Sequence, residues 1–174
     1  MVRRQRPNVL VTGTPGTGKT TFSQLLANYT GLAHHNVGQA VSEHKLYAQW
    51  DSTYDLPVFD DDMVVDHFEP IQAGEGVILD FHSSGLFPLR WFDLVILLRA
   101  NNTVLFDRLT PRGYSSEKIH ENLQCEILEV TSEEVYESYP KEIVLELTNE
   151  QESQMEVNLQ KVMEWLTRWK QERA

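Results

Sequence analysis

The run Gly13-Thr14-Pro15-Gly16-Thr17-Gly18-Lys19-Thr20 carries glycines, a lysine and a hydroxyl at every fixed position of G-x-x-x-x-G-K-[ST]. Those residue types suit phosphate. Glycines let the backbone turn tightly, so that successive N–H groups point into one concave anion nest. A helix starting near Gly18 adds its positive dipole end. Lys19 reaches β- and γ-phosphates as a mobile cation, and the Thr20 hydroxyl takes one coordination position on Mg²⁺. The pattern predicts phosphate contacts from Gly13, Pro15, Gly16, Thr17, Gly18, Lys19, Thr20 and the following Thr21.

A second set of residues fits the same chemistry. Val77-Ile78-Leu79-Asp80 is an apolar strand ending in an acid, the position from which an aspartate holds a Mg²⁺-bound water near the β,γ-phosphates. His82 follows two residues later, on the same side of an extended strand, where it would orient a water or bridge the phosphate loop to the metal. Arg108 and Arg112 are four apart in Phe106-Asp107-Arg108-Leu109-Thr110-Pro111-Arg112-Gly113-Tyr114 and would face one way from a helix end. Guanidinium forks match phosphate oxygens, so the pair suits a lid that stabilises charge on a transferred phosphoryl group; the bland alternative pairs Arg108 with a surface acid. Arg90 and Arg99 are further candidates, and Asn149, after the last strand, is a candidate neighbour of the base. Asp60-Asp61-Asp62 cannot converge on one ion and reads as an N-cap followed by first-turn acids. The pair His34-His35 has no carboxylate or cysteine at metal-ligand spacing and reads as packing. No Asn-Lys-x-Asp occurs, and Asp80-Phe81-His82-Ser83 lacks the glycine of a guanine-nucleotide switch. The nucleotide expected is therefore ATP with Mg²⁺.

Elements in a definite order must position these groups. Strands are expected over Val9–Thr12, Leu32–His35, Val77–Phe81, Leu94–Leu98 and Ile143–Leu147. Helices are expected over Lys19–Tyr29, Gly38–Tyr47, Asp61–Ala73, Thr103–Leu109, Glu117–Tyr139 and Glu152–Lys170. Short, almost uninterrupted apolar strands alternating with helices predict an α/β fold, a doubly wound parallel five-stranded sheet covered on both faces. Residues 1–174 read as a single domain. Trp50–Asp62 and the loop at Pro111–Tyr114 break the rhythm and are candidate flaps. In the last helix Met155, Leu159, Val162, Leu166 and Trp169 form an apolar stripe of core type.

Composition narrows the classes of partner. A net charge of −11 argues against nucleic-acid binding over the whole surface. From Glu117 onward 14 glutamates and no aspartate stand against six lysines and arginines, a solvated helical face or a docking surface for a basic protein. Arg3, Arg4 and Arg6 read as a frayed tail in preference to a weak nuclear or RNA-contacting signal. No apolar run nears the roughly 18 residues of a membrane span. The basic start is followed by the strand of the phosphate loop rather than a signal-peptide core, which predicts a chain kept inside the cell. Cys125 is the single cysteine, so neither a disulfide nor a cysteine metal site is expected.

With these motifs in place, the chain resembles the adenylate kinase isoenzyme 6 family, also called the coilin-interacting nuclear ATPases, over nearly its whole length. The residues that carry the resemblance are Gly13–Thr20, Asp80-Phe81-His82, Phe87-Pro88-x-Arg90-Trp91-Phe92-Asp93, Arg108-Leu109-x-x-Arg112-Gly113-Tyr114 and Glu121-Asn122-Leu123-Gln124-Cys125-Glu126-Ile127. The resemblance implies a P-loop NTPase fold with an adenylate-kinase-like core, an NMP-binding insertion at about 37–70 and a short lid at about 108–120. It implies ATP:AMP phosphotransfer with ATPase activity, catalysed through Lys19, Asp80, His82, Arg108 and Arg112, with Thr20 and (through water) Asp80 serving Mg²⁺. It also implies a small-subunit ribosomal protein and the pre-ribosome as partners, in nucleus and cytoplasm. Relatives carry a basic residue, facing the AMP phosphate, where this chain has Ser42. Losing one charge-assisted bond of about 1.5–3 kcal/mol would weaken AMP binding about 10- to 100-fold, unless Lys45 substitutes from the next turn.

Overall fold

A computed structural model describes residues 3–174. Five short strands form the central sheet: β1 (Val9–Thr12), β2 (Ala33–Asn36), β5 (Val77–Asp80), β6 (Leu94–Arg99) and β7 (Val144–Thr148). They lie in the order β2-β5-β1-β6-β7, and every pairing is parallel. The register alternates the strands' side chains between two cores. Val9, Val11, Ile78, Ile96 and Leu98 point to one face, where α1 (Lys19–Thr30) and α7 (Glu152–Gln171) bury Phe22, Leu26, Leu159 and Val162. Leu10, Leu79, Val95 and Leu97 point to the other, against Val37 and Val41 of α2 (Val37–Glu43), Val64 and Phe68 of α3 (Asp61–Ala73) and Val135 of α6 (Val130–Ser138). A strand buried on both faces needs an apolar residue at every position, which is why these segments read as continuous apolar runs. A small third core of Ala100, Leu105, Leu109 and Ile119 joins α4 (Asn102–Leu109) to α5 (Ser116–Ile127). Among the described residues no helix is long and apolar enough to cross a membrane.

The strand and helix bounds depart from expectation by a residue or so, with three larger differences. The segment after α2 is not helical as far as Tyr47. The helix stops at Glu43, Lys45 takes a left-handed φ of 52°, and Tyr47–Asp51 (β3) pairs antiparallel with Leu56–Phe59 (β4). This hairpin lies within the segment, about 37–70, where the resemblance implies an NMP-binding insertion, and Pro57 is tolerated because a two-stranded ribbon is all edge. The single helix expected over Glu117–Tyr139 is two, α5 and α6, broken at Leu128-Glu129, where Glu129 has φ 56°. The break has a local cause: Arg99 Nη2 donates to the carbonyl of Glu126 at 3.2 Å, and Arg99 also pairs with the Glu126 and Glu129 carboxylates. The N-terminal arginines are not a frayed tail. Arg4 pairs with Asp93 at 3.4 Å, and Arg6 donates to the Gly31 carbonyl at 2.7 Å.

Candidate active site

β1 lies at the point where the chain, having built β2 and β5 on one side, crosses over to build β6 and β7 on the other. Open α/β sheets bind ligands at the carboxyl ends of strands flanking such a switch. Here the loop after β1 wraps the start of α1. Gly16 and Gly18 have φ of 95° and 90°, which glycine alone adopts without strain. A Cβ on Gly18 would also stand 2.5 Å from Asn149 Nδ2. Thr17 closes the turn by donating to the Thr14 carbonyl at 2.8 Å, and buried Asn149 donates to the Thr17 carbonyl at 2.8 Å. The residue after the last strand thus braces the phosphate loop; the sequence places Asn149 near the site without showing this contact.

Lys19, Thr20, Asp80, His82 and Arg112 line one cleft of about 310 Å³, together with Pro15, Gly16, Gly18, Thr21, Asn36 and Tyr114. Lys19 Nζ donates to the carbonyls of Gly13 at 2.9 Å and Thr14 at 3.2 Å. Burial lowers its pKa to about 8; Asp80 opposes that shift and Arg112 adds to it. Thr20 Oγ1 donates to Asp80 Oδ2 at 2.8 Å, so a hydroxyl and a carboxylate 60 residues apart in sequence form one oxygen-rich pair. Hard divalent cations favour oxygen donors, and a hydroxyl plus one carboxylate, with water and phosphate completing the shell, is the mode in which Mg²⁺ binds beside nucleotides. The donor chemistry fits that ion. Among the described residues no group of three His, Cys, Asp or Glu side chains is placed to hold a metal by itself.

His82 does not extend β5, which ends at Asp80; it follows on a bend and still reaches the cleft. Its residue keeps solvent access, while desolvation by the cleft walls and then the Lys19 cation hold its pKa down near 4. The bend is pinned from α6. Glu134 Oε1 accepts from Ser83 Oγ at 3.1 Å, from Ser84 N at 3.0 Å and from Gly85 N at 2.7 Å. Nothing in the sequence singles out Glu134, because its partners are one hydroxyl and two backbone amides of a loop some fifty residues away.

The two arginines expected on a lid part company. Arg112 faces the cleft. Arg108 donates instead to the carbonyls of Gly16 at 3.0 Å, Asn149 at 2.9 Å and Glu150 at 3.1 Å, and among the described residues it forms no ion pair within 4.0 Å. Helical spacing fails because a 3₁₀ turn at Thr110–Arg112 follows α4 and rotates the second arginine away from the first. Arg90 and Arg99 are structural: Arg90 pairs with Glu69 at 2.9 Å, and Arg99 lies among Glu126, Glu129 and Glu146. Asp60 caps α3 as expected, accepting from Met63 N at 3.0 Å. His34 is more than packing, since its Nε2 lies 3.1 Å from Asp80 Oδ2.

A second hollow of about 530 Å³ shares Pro15, His82 and Tyr114 with the cleft and is bounded also by Tyr54 and Phe59 of the hairpin and by Lys118 and Cys125 of α5. Tyr54 Oη donates to Glu121 of α5, tying the hairpin across that hollow. Neither Ser42 nor Lys45 lines either space. Another hollow, of about 730 Å³ beside Trp165 and Asp93, holds none of the phosphate-loop residues.

Comparison with known proteins agrees with this geometry. A family model described as an AAA domain matches residues 9–129. The adenylate kinase isoenzyme 6 homologue of Caenorhabditis elegans is 44% identical, over 97% of this chain and 94% of that protein. The homologue of the same name from Dictyostelium discoideum is 40% identical, over 97% and 96%. Among solved structures, a shikimate kinase from Acinetobacter baumannii superposes with a TM-score of 0.68 at 14% identity, covering 94% of each chain. A gluconokinase from Sinorhizobium meliloti gives 0.55 at 15% identity, over 95% of this chain and 98% of that one. These last two establish the likeness of fold.

Proposed function

The chain belongs to the adenylate kinase isoenzyme 6 family, and from that premise we propose that it transfers the γ-phosphoryl group of ATP to AMP in a Mg²⁺-dependent reaction, and hydrolyses ATP when no acceptor is bound. The observation that carries this reading is the Thr20–Asp80 pair, 2.8 Å apart beside Lys19, in a cleft that shares His82 with a second hollow. One space suits the donor phosphates and the other an acceptor.

Thr20 and Asp80 would hold Mg²⁺, Asp80 through water, and the ion supplies charge neutralisation across the phosphates. Around it the chain positions and stabilises. The backbone N–H groups of Gly13–Thr20 and the start of α1 hold phosphate oxygens. Lys19 and Arg112 place positive charge where negative charge grows during transfer. Neutral His82 lines both hollows and orients the incoming oxygen by a hydrogen bond. Tyr54, Phe59 and Tyr114 offer ring faces to an acceptor base, and Lys118, 3.7 Å above the Tyr114 ring, is the cation in that hollow that answers the serine at position 42. The insertion that carries the hairpin serves as the NMP-binding element, and the segment through Arg112 as the lid.

The test is ADP formation from MgATP with and without AMP, with Lys19→Ala as blank. A large AMP-dependent rise supports transfer. A Lys19-dependent signal indifferent to AMP over a wide concentration range would leave an ATPase and remove the AMP kinase.

A second reading, favoured by a separate observation, makes the chain an ATP-driven assembly switch in nucleus and cytoplasm whose partner is a basic small-subunit ribosomal protein. Ile127, Leu128 and Val130 are 53%, 62% and 46% exposed at the α5–α6 elbow, next to Glu129 and Glu133. Apolar side chains among acids suit a basic partner. The elbow lies close to the phosphate loop, Thr131 Oγ1 being 3.3 Å from Thr14 Oγ1. Equal partner affinity with ATP, with ADP and without nucleotide would exclude the switch.

A further inference from the structure

Two strand-β2 residues turn toward the oxygen pair that the proposed reaction needs. The β2–β5 register sets His34 opposite Ile78 and Asn36 opposite Asp80, so the end of the edge strand runs beside the carboxylate. His34 Nε2 lies 3.1 Å from Asp80 Oδ2, and the two side chains are 13% and 3% exposed. An ionised carboxylate only accepts, so Nε2 carries the proton and donates. Asn36 Nδ2 donates to Thr20 Oγ1 at 3.3 Å, and its own Oδ1 is fixed by the Gln39 amide at the start of α2. Asp80 Oδ2 therefore takes two donors, one from the residue after Lys19 and one from β2. Oδ1 is left as the carboxylate oxygen with no hydrogen-bond partner among the described residues, in a side chain that lines the cleft.

We propose that His34 is a positioning residue for the Mg²⁺ site: its Nε2–H fixes the Asp80 carboxylate so that the free oxygen addresses the ion's water and Thr20 stays in place to bind the ion directly. The inference rests on the Mg²⁺–nucleotide reading of the cleft and adds a residue to it. Thr20 can go on donating its proton to Asp80 while an oxygen lone pair binds the ion, so that bond is kept but its oxygen must reposition on ion binding. A donor from β2 is independent of that event and holds the carboxylate before and after it. Hydrogen bonds behind a metal's direct partners characteristically alter metal affinity about 10- to 100-fold when removed. With water between Asp80 and the ion, the lower end is expected.

The experiment measures the affinity of the full chain for a fluorescent N-methylanthraniloyl ADP across a Mg²⁺ titration, for the parent, His34→Phe and His34→Gln, with thermal unfolding midpoints alongside. Phenylalanine keeps the ring and removes the donor; glutamine places an N–H close to where Nε2 stands. His34→Phe should need about tenfold more Mg²⁺ for half of the Mg²⁺-dependent gain in affinity. Its Mg²⁺-free affinity should stay near the parent's, its unfolding midpoint should fall by only the several degrees that one lost hydrogen bond to a carboxylate costs, and glutamine should restore the Mg²⁺ response. In ADP formation the change should appear in the Mg²⁺ requirement, with turnover at saturating Mg²⁺ within about twofold. Superimposable Mg²⁺ titrations for all three proteins overturn the inference. So does a His34→Phe protein that loses Mg²⁺-free binding and thermal stability together, because that is the signature of packing. A parent whose nucleotide affinity ignores Mg²⁺ sinks the reading of the cleft itself, and the inference with it.

Discussion

Replacing Lys19 by methionine should destroy nucleotide binding and make the nucleotide-free protein more stable. The ammonium sits against the carbonyls of Gly13 and Thr14, and burial lowers its pKa from 10.5 to about 8. At 1.36 kcal/mol per unit, holding the charge there costs about 3 kcal/mol. Lys19 keeps partial solvent contact, which trims the figure toward about 1–2 kcal/mol. A chain of this size gains about 2–4 °C per kcal/mol, so Lys19→Met should unfold about 2–8 °C higher at pH 7. The gain must also depend on pH. Below about pH 8 the lysine is charged in both folded and unfolded chains, and the parent carries the whole penalty. Between 8 and 10.5 the folded chain sheds its proton before the unfolded chain does, so the parent's stability rises with pH and the difference between the proteins shrinks. Above 10.5 both forms are neutral and the two midpoints converge. The assay is thermal unfolding by circular dichroism from pH 6.5 to 10.5, with fluorescent-nucleotide binding at each pH. A methionine variant less stable than the parent at pH 7, or a difference constant over the range, would refute the claim that this cation is held at a cost until phosphate arrives.

Three other perturbations are sharp. Because His82 is held near 4, its titration lies below the working range; the pH profiles of ADP formation for the parent and His82→Asn should keep the same shape between pH 5.5 and 7.5, and a limb near 6.5 that vanishes in the variant would contradict this. Glu134→Ala leaves three donors of the Ser83–Gly85 bend without their acceptor, at about 1.5–3 kcal/mol. Its unfolding midpoint should fall and turnover should drop as His82 drifts, with nucleotide affinity within about twofold of the parent; an unchanged turnover counts against the bend as a positioning element. Gly18→Ala meets a positive φ and an amide nitrogen 2.5 Å from the new methyl group. Strain of about 1–3 kcal/mol in the phosphate loop should weaken nucleotide binding roughly 5- to 150-fold by titration, and parent-like affinity would show that the loop yields freely.

The sequence by itself determined the parts whose chemistry is local. The phosphate loop, the strand–loop–helix around it, the acid at the end of Val77–Asp80 and the doubly buried strands are written in neighbouring residues. Close-range sterics and side-chain periodicity decide such features, and the family followed from the same motifs. Tertiary structure decided what depends on residues meeting from distant segments. Helical spacing set Arg108 and Arg112 on one face, and a 3₁₀ turn separated them. Arg99 and Arg90 had the charge for phosphate, but packing delivered glutamates to them first. The helix expected to run through Glu129 was cut by an arginine from β6. The hairpin was hidden because its cross-strand partners, rather than its composition, stabilise it. His34 offers no metal-ligand spacing in the chain, yet parallel pairing of β2 with β5 lays it against Asp80, 46 residues away in sequence. Spacing along a chain shows what one element can present; only the register between elements shows what it will touch.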